Sequence, residues 1–383
     1  MTVSIVIPTH NRADLIGRAI RSVLKQSIMD LQIVVVDDGS TDDTPAIVKA
    51  LATDDRILFA RQSNRGRSEA RNLGFSLSTG EFIGFLDSDD ELLPDAIASH
   101  LATFAAQPDA GMTVAGYHTD FGSFRLYDDY LPWDWEEHSG LQDWLFNCFG
   151  MPGTVLHRRT WIERIGGFDP ACEIAEDWDL YLRLAAAGCR TAWNRSIVCV
   201  YHKHAGNSVL DIERHYLGTV QALAKLSRSA IGLPLDLLTQ ARAWNEVVFT
   251  KRFIDAGQPE RATTGLRLAI QLNPALIRDT RASVIEFILS SFGPPIPNAH
   301  QVEYEQILKE VLGATRRELN RARSRGHMSR FFRRAHGDVG RASLTSLQRG
   351  LRADPRWLTN RGVLSFILEY VGSRVRSSLS NKR

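Results

Sequence analysis

The chain has 383 residues, 44% of them hydrophobic, and a formal net charge of +2, so it is too long for one ordinary domain and can fill a sizeable core. Its four cysteines, Cys148, Cys172, Cys189 and Cys199, lack metal-type pairing and read as reduced thiols of a cytosolic protein, which excludes a disulfide framework. No apolar run reaches the ~18 residues of a membrane span, and the N-terminus is strand-like, without the basic region and apolar core of a signal peptide.

In chain order, Val3 to Ile7 is a short apolar strand ended by Pro8, and Thr9, His10 and Asn11 form a polar turn. A helix follows, with Leu15, Ile16, Ala19, Ile20, Val23 and Leu24 at helical spacing. Leu31 to Val36 is a second strand that ends in Asp37, Asp38, Gly39 and Ser40. Asp43 or Thr44 caps the next helix, with Pro45 in its first turn. Arg56 to Ala60 is a weaker strand, Ser68 to Leu77 is helical, and Gly80 sits where that helix would be released.

The stretch Glu81 to Asp90, EFIGFLDSDD, is a buried strand that runs straight into Asp87, Ser88, Asp89 and Asp90. Clustered carboxylates repel one another and resist desolvation. A bound divalent cation would relieve that cost, and hard oxygen ligands suit Mg²⁺ or Mn²⁺. An acidic turn capping the next helix is the plainer alternative. The alternation of strand and helix predicts an α/β fold with a mostly parallel sheet and helices on both faces. Ligands of such sheets bind beyond the carboxyl ends of the strands, where the three polar clusters lie. No GxGxxG follows the first strand, which argues against a dinucleotide site.

Together, SIVIPTHNR, VVVDDGSTDDT, NRGRSEARNLG and FLDSDDEL resemble the nucleotide-binding half of family 2 glycosyltransferases, which have the GT-A fold. TVLHRRTWIERIGGFDP and AEDWDLYLRLAAAG resemble the acceptor half, so the likeness spans about residues 1 to 210. It implies inverting transfer of a sugar from a nucleotide-sugar donor, most often UDP-linked, to a glycan, lipid-linked or protein acceptor. By the same resemblance, Pro8, Thr9, Asn11, Asp37, Asp38, Arg67, Asp87 and Ser88 contact the nucleotide-sugar. Arg71 and Asn72 could instead lock their loop onto the sheet. Asp87-Ser88-Asp89 matches the DXD motif, so Asp87 and Asp89 are expected on Mn²⁺ or Mg²⁺, with Asp90 as an outer contact. A family histidine that completes the metal or diphosphate site aligns with His204, while His202 stands where arginine is more usual. Which of the two faces the metal stays open. Glu176-Asp177 opens a helix, where acids are also simply favourable. The family implies a general base here, with Asp177 first and Glu176 second.

Tyr117 to Phe149 is insertion-like and carries Tyr127, Tyr130, Trp133, Trp135 and Trp144. These rings either stack on an acceptor sugar or pack a lid on the core. The expected domains are a catalytic one over 1–211 and an α-helical one over 212–383. In the latter, segments from Gly257 and Gly337 resemble each other like parts of tetratricopeptide-type hairpins. Residues 316–383 hold 17 Lys and Arg against 4 Asp and Glu, a net of +13 that leaves −11 for the rest. Such a region fits peripheral contact with an anionic membrane surface or an acidic partner, or only a solvated helical face. No nucleic acid is expected. The expected location is the cytoplasm, with peripheral contact at the inner membrane face as a variant. A non-catalytic scaffold and a nucleotidyltransferase are the alternatives. The acids are all retained, against the first, and a Gly- and Lys-rich phosphate loop is missing, against the second.

Overall fold

The computed structural model describes residues 2–120, 128–130, 140–228, 233–289 and 298–335, with 347 and 351. The strands are β1 (Val3–Thr9), β2 (Leu31–Asp38), β3 (Ile57–Gln62), β4 (Phe82–Phe85), β5 (Glu91–Leu92), β6 (Met112–Asp120), β7 (Asp128–Tyr130), β8 (Val155–Arg158) and β9 (Thr191–His202). Among them run α1 (Ala13–Leu24), α2 (Thr44–Leu51), α3 (Arg67–Leu77), α4 (Ala96–Ala106), α5 (Leu141–Phe146), α6 (Arg159–Ile165) and α7 (Glu176–Ala186). They are followed by α8 (Ile212–Arg228), α9 (Leu235–Asp255), α10 (Pro259–Leu272), α11 (Ala275–Arg278), α12 (Arg281–Leu289), α13 (Asn298–Leu312) and α14 (Arg316–Ala335).

The sheet order is β3-β2-β1-β4-β8-β6-β9-β5, with β7 added to β6. β3, β2, β1 and β4 are parallel, as the strand–helix alternation predicts. β8 runs antiparallel to β4 and β6, and β5 antiparallel to β9, so the second half of the sheet is mixed.

Side chains of the parallel strands alternate between two cores, as the pleat demands. Val6, Val34 and Val36 join Ala70, Trp144, Trp178 and Leu184 on one face. Ile5, Ile7, Ile33 and Val35 join Ile16, Ile20 and Val48 on the other. The register sets Thr9 opposite Asp37 and Asp37 opposite Arg61, which brings the polar strand ends level at one edge.

The structure changes one expectation and resolves another. Gly80 does not release α3, whose last turn ends at an extended Ser78. It is small because a Cβ there would lie 2.5 Å from the Ser4 backbone nitrogen. Trp144 is fully buried and donates from Nε1 to Thr191 Oγ1 at 3.1 Å, so it packs the core rather than facing an acceptor. Tyr127, Trp133 and Trp135 lie outside the described residues.

The chain divides into two compact units, 1–245 and 246–383. It turns helical near residue 212, as read from the sequence, but the first unit keeps α8. Lys225 of α8 reaches Asp169 and Asp179, and Gly218 sits so close to the Ile174 carbonyl that a Cβ would be 2.4 Å away. The second unit buries Phe253, Leu266, Ile285, Ile288, Tyr304 and Leu308. The Gly257 segment forms α10 behind a glycine at φ +71°. The matching Gly337 segment lies almost wholly outside the described residues. Among the described residues, no helix is long and apolar enough to cross a membrane.

Candidate functional site

A cleft of about 1110 Å³ opens at the carboxyl ends of β1, β2 and β4 and is closed on the far side by the start of α7. Pro8, Thr9, Asn11, Asp38, Arg67, Asp87, Ser88, Asp89, Glu176 and Asp177 all line it, gathered from five separate segments.

At one end sits the β1 turn. Thr9 is 3% exposed, and its hydroxyl has no hydrogen-bond partner in the protein. A buried hydroxyl left unpaired costs free energy, so a group that enters the cleft and bonds Thr9 is favoured. Asn11 adopts φ +49°, a conformation asparagine tolerates better than most residues. Its amide oxygen accepts from Thr41 N at 2.9 Å, and its own N–H donates to Ser40 Oγ at 2.9 Å. Asn11 thus shapes the turn as well as lining the cleft.

The two acids after β2 separate in role. Asp37 is 0% exposed, accepts from Ser40 N at 3.0 Å, and has Arg61 Nε 2.9 Å away. It holds its own turn and does not line the cleft, contrary to its expected place among the nucleotide contacts. The reason is its contacts with Ser40 and Arg61, which hold it in the turn. Asp38 lines the cleft, and its oxygens accept from Gln62 Nε2 at 2.7 Å, Arg65 N at 2.8 Å and Gly66 N at 2.9 Å. Those backbone donors fix the loop that delivers Arg67. Gly66 at φ +90° makes that loop possible.

At the middle of the cleft, carboxylate oxygens of Asp87, Asp89 and Asp90 lie within 4.8 Å of one another. Asp90 is 1% exposed, and its Oδ2 lacks a partner. Burial, then the charges of Asp87 and Asp89, push its pKa well above the ordinary carboxylate range. Three clustered carboxylates, one with an orphaned buried oxygen, fit a divalent cation. The sequence reading placed Asp90 in an outer role, but the geometry groups it with the other two. Arg12 Nε is 3.9 Å from Asp89 Oδ2, and Arg18 Nη2 donates to the Asp89 carbonyl at 2.5 Å. Neither arginine was singled out in the sequence, although Arg12 follows directly on the Thr9–Asn11 turn.

His204 and His202 are now distinct. His204 Nε2 lies 3.0 Å from Asp89 Oδ2, while its Nδ1 accepts from Gly206 N at 3.1 Å. That assigns the proton to Nε2, aimed at Asp89. His202 is held between Glu91 at 2.9 Å and Asp120 at 3.1 Å. Of the two histidines, His204 is therefore the one that faces the acidic group.

Arg71 joins this end of the cleft to the next. It is 1% exposed, with Nη2 2.6 Å from Asp87 Oδ1 and Nη1 2.6 Å from Glu176 Oε1. Burial works against its charge, but the two carboxylates outweigh that and hold it firmly protonated. Asn72 instead clamps Phe168 through N–H and C=O, both at 2.8 Å. Glu176, tied to Arg71 and 3.5 Å from Arg67 Nη1, is a framework acid. Among the described residues, Asp177 next to it accepts from its neighbour Trp178 N, at 2.7 Å. Burial, then the Glu176 charge, pushes Asp177 up from 3.8 to about 7, with Arg71 opposing.

Residues 4–166 match the model of Glycosyl transferase family 2. That match covers less than half of the chain and falls within its first unit. The succinoglycan biosynthesis protein ExoO of Rhizobium meliloti is 33% identical over 217 residues, 54% of this chain and 62% of its own length. The chondroitin synthase of Escherichia coli is 30% identical over 256 residues, 64% of this chain but 36% of that protein. The chain thus spans less than two thirds of the length of these curated relatives. Among solved structures, the fold is similar to that of S. aureus TarS 1-349 in complex with UDP-GlcNAc, with a TM-score of 0.54 at 17% identity over 89% of this chain and 95% of that one. A mannosyltransferase from Pyrobaculum calidifontis, in complex with GDP-Man and Mn2+, gives 0.53 at 19% identity over 91% and 86%. The GT-A-like α/β fold expected from the sequence is thereby the fold of the described residues.

Proposed function

We propose that this chain transfers a sugar from a nucleotide-diphospho-sugar, UDP-linked, to a hydroxyl of a glycan or lipid-linked acceptor, with inversion at the anomeric carbon. One observation carries the reading. Asp177, a carboxylate with a pKa near neutrality, shares a single cleft with Asp87 and Asp89 of the acidic group, and Arg71 ties the two ends together. That TarS was solved with UDP-GlcNAc and the mannosyltransferase with Mn2+ supports the same reading.

In this reading, Thr9 and Asp38 face the base and ribose, and Arg67, at the mouth of the loop fixed by Asp38, faces the diphosphate. Asp87 and Asp89, with His204 beside Asp89, would hold Mn²⁺ or Mg²⁺. Such an ion supplies charge neutralisation for a departing diphosphate. Asp177, ionised, takes the proton from the acceptor hydroxyl. The freed oxygen attacks the anomeric carbon opposite the diphosphate. The bond from that carbon to the phosphate oxygen breaks, and its electron pair leaves with the nucleoside diphosphate. Glu176 keeps Arg71 in place and raises Asp177 toward the acidity a base needs at neutral pH.

The helical region, basic toward the C-terminus, supports peripheral contact with an anionic surface or acidic partner. We read the chain as acting on the cytoplasmic side of a membrane.

The test is calorimetric titration with UDP, GDP and TDP, with and without Mn²⁺, on the wild type and Asp89→Asn. Metal-dependent binding of UDP, weakened in the variant, supports the reading. A cooperatively folded protein that binds none of the three refutes it.

A further inference from the structure

Beside the main cleft lies a second chamber of about 230 Å³, and Tyr117, Met151, Ala175 and Asp177 line both. The chamber and the cleft therefore adjoin at a shared wall that includes Asp177. Its wall is built by cross-strand partners. Tyr117 of β6 pairs with Tyr130 of β7, and their rings stack with centroids 5.0 Å apart at 26°. Phe149 and Trp178 continue the apolar lining, and Trp178 is fixed by its Nε1 donating to the Trp144 carbonyl at 2.8 Å. Cys148, exposed among four free thiols of which the other three are buried, stands in the same lining.

Resting on the transferase reading above, we propose that this chamber receives the terminal pyranose ring of a glycan acceptor, stacked on the Tyr117–Tyr130 pair with one hydroxyl toward Asp177. Size decides against longer occupants. Sites for drug-sized ligands run from roughly 300 to 1,000 Å³, so this chamber suits a single ring and not a prenyl chain. Chemistry decides for a sugar. The C–H bonds of a pyranose face carry partial positive charge that meets the negative face of an aromatic ring, and its hydroxyls need the few polar groups that line the space. Position agrees as well, because a ring there sits across Asp177 from the acidic group that would face the diphosphate. The proton removed from its hydroxyl goes to Asp177, as in the transfer written above.

The test uses the full chain with UDP and Mn²⁺ bound, probed with methyl pyranosides of several configurations by saturation-transfer NMR. Contact from at least one pyranoside is expected. It should be lost in Cys148→Trp, which fills the chamber, and weakened several-fold in Tyr130→Ala, while both variants melt cooperatively and bind UDP within twofold of the wild type. Equal pyranoside contact in the wild type and in both variants, no pyranoside contact at all on UDP-bound protein, or preferred contact from a short prenyl phosphate would each overturn the chamber assignment. A failure of UDP to bind is a different result, because it removes the transferase reading beneath this one and the inference with it.

Discussion

Replacing Asp177 with asparagine should stabilise the protein while abolishing transfer. In the folded state burial and Glu176 hold the carboxyl at about 7, against an ordinary 3.8. The folded form therefore binds a proton more tightly than the unfolded one, and stability falls as pH rises from about 4 to about 7. At about 1.36 kcal/mol per pH unit, the ionised carboxylate costs the folded state about 4 kcal/mol above that window. Asparagine keeps an oxygen for the Trp178 N–H, which donates at 2.7 Å, and carries no charge to bury. A domain of this size gains roughly 2–4 °C per kcal/mol, so a rise of about 10 °C is expected at pH 8, vanishing near pH 4. Melting curves of both proteins across pH measure it. In parallel, wild-type kcat/KM should fall tenfold per pH unit below about 7, the range in which the base is protonated. A variant no more stable than the wild type at pH 8, together with a rate that is flat from about pH 5 upward, would refute the reasoning.

Removing Arg71 should act in the opposite sense. Arg71→Met strands two buried or half-buried carboxylates and should cost about 3–5 kcal/mol, read as a lowered denaturant midpoint. Arg71→Lys should not restore it, because one ammonium cannot reproduce two contacts at 2.6 Å on separate carboxylates. Thr9→Val removes a buried hydroxyl that has no protein partner. It should therefore weaken UDP binding by about 1 kcal/mol in calorimetry without lowering the melting temperature. His157 is buried and held down to about 4 from 6.5 by burial, against the bond that its Nδ1–H donates to the Ile83 carbonyl. Its neutral form belongs to the folded state, so stability falls as pH drops from about 6.5 to about 4, by about 3 kcal/mol. His157→Phe, if it folds, should flatten that part of the curve in acid titrations followed by circular dichroism.

The strands, the two acidic strand ends and the acid pair at a helix start were readable because each is a local pattern. Val3 to Ile7 and Leu31 to Val36 are apolar runs of strand length, and Asp87 to Asp90 follows its strand without a gap. What stayed hidden depends on neighbours distant in sequence. Asp37 and Asp38 look equivalent in a string, but Ser40 and Arg61 hold Asp37 in its turn while Asp38 lines the cleft. His202 and His204 differ only through Glu91, Asp120 and Asp89, which come from other strands. Trp144 stayed open between a sugar platform and packing because aromatic content does not reveal burial. The reversed direction of β8 and the role of Gly80 against Ser4 come from the packing of the sheet, not from any short motif.

The bridge through Arg71 has a consequence for how such a catalyst can vary. A guanidinium is flat and stiff, so the gap between the strand that carries Asp87 and the helix that carries Glu176 is set by covalent bond lengths rather than by the loops between them. The cleft therefore contains its own gauge block. Segments around it can be lengthened, shortened or exchanged to admit a different acceptor, and the spacing of the reacting groups need not be tuned again each time.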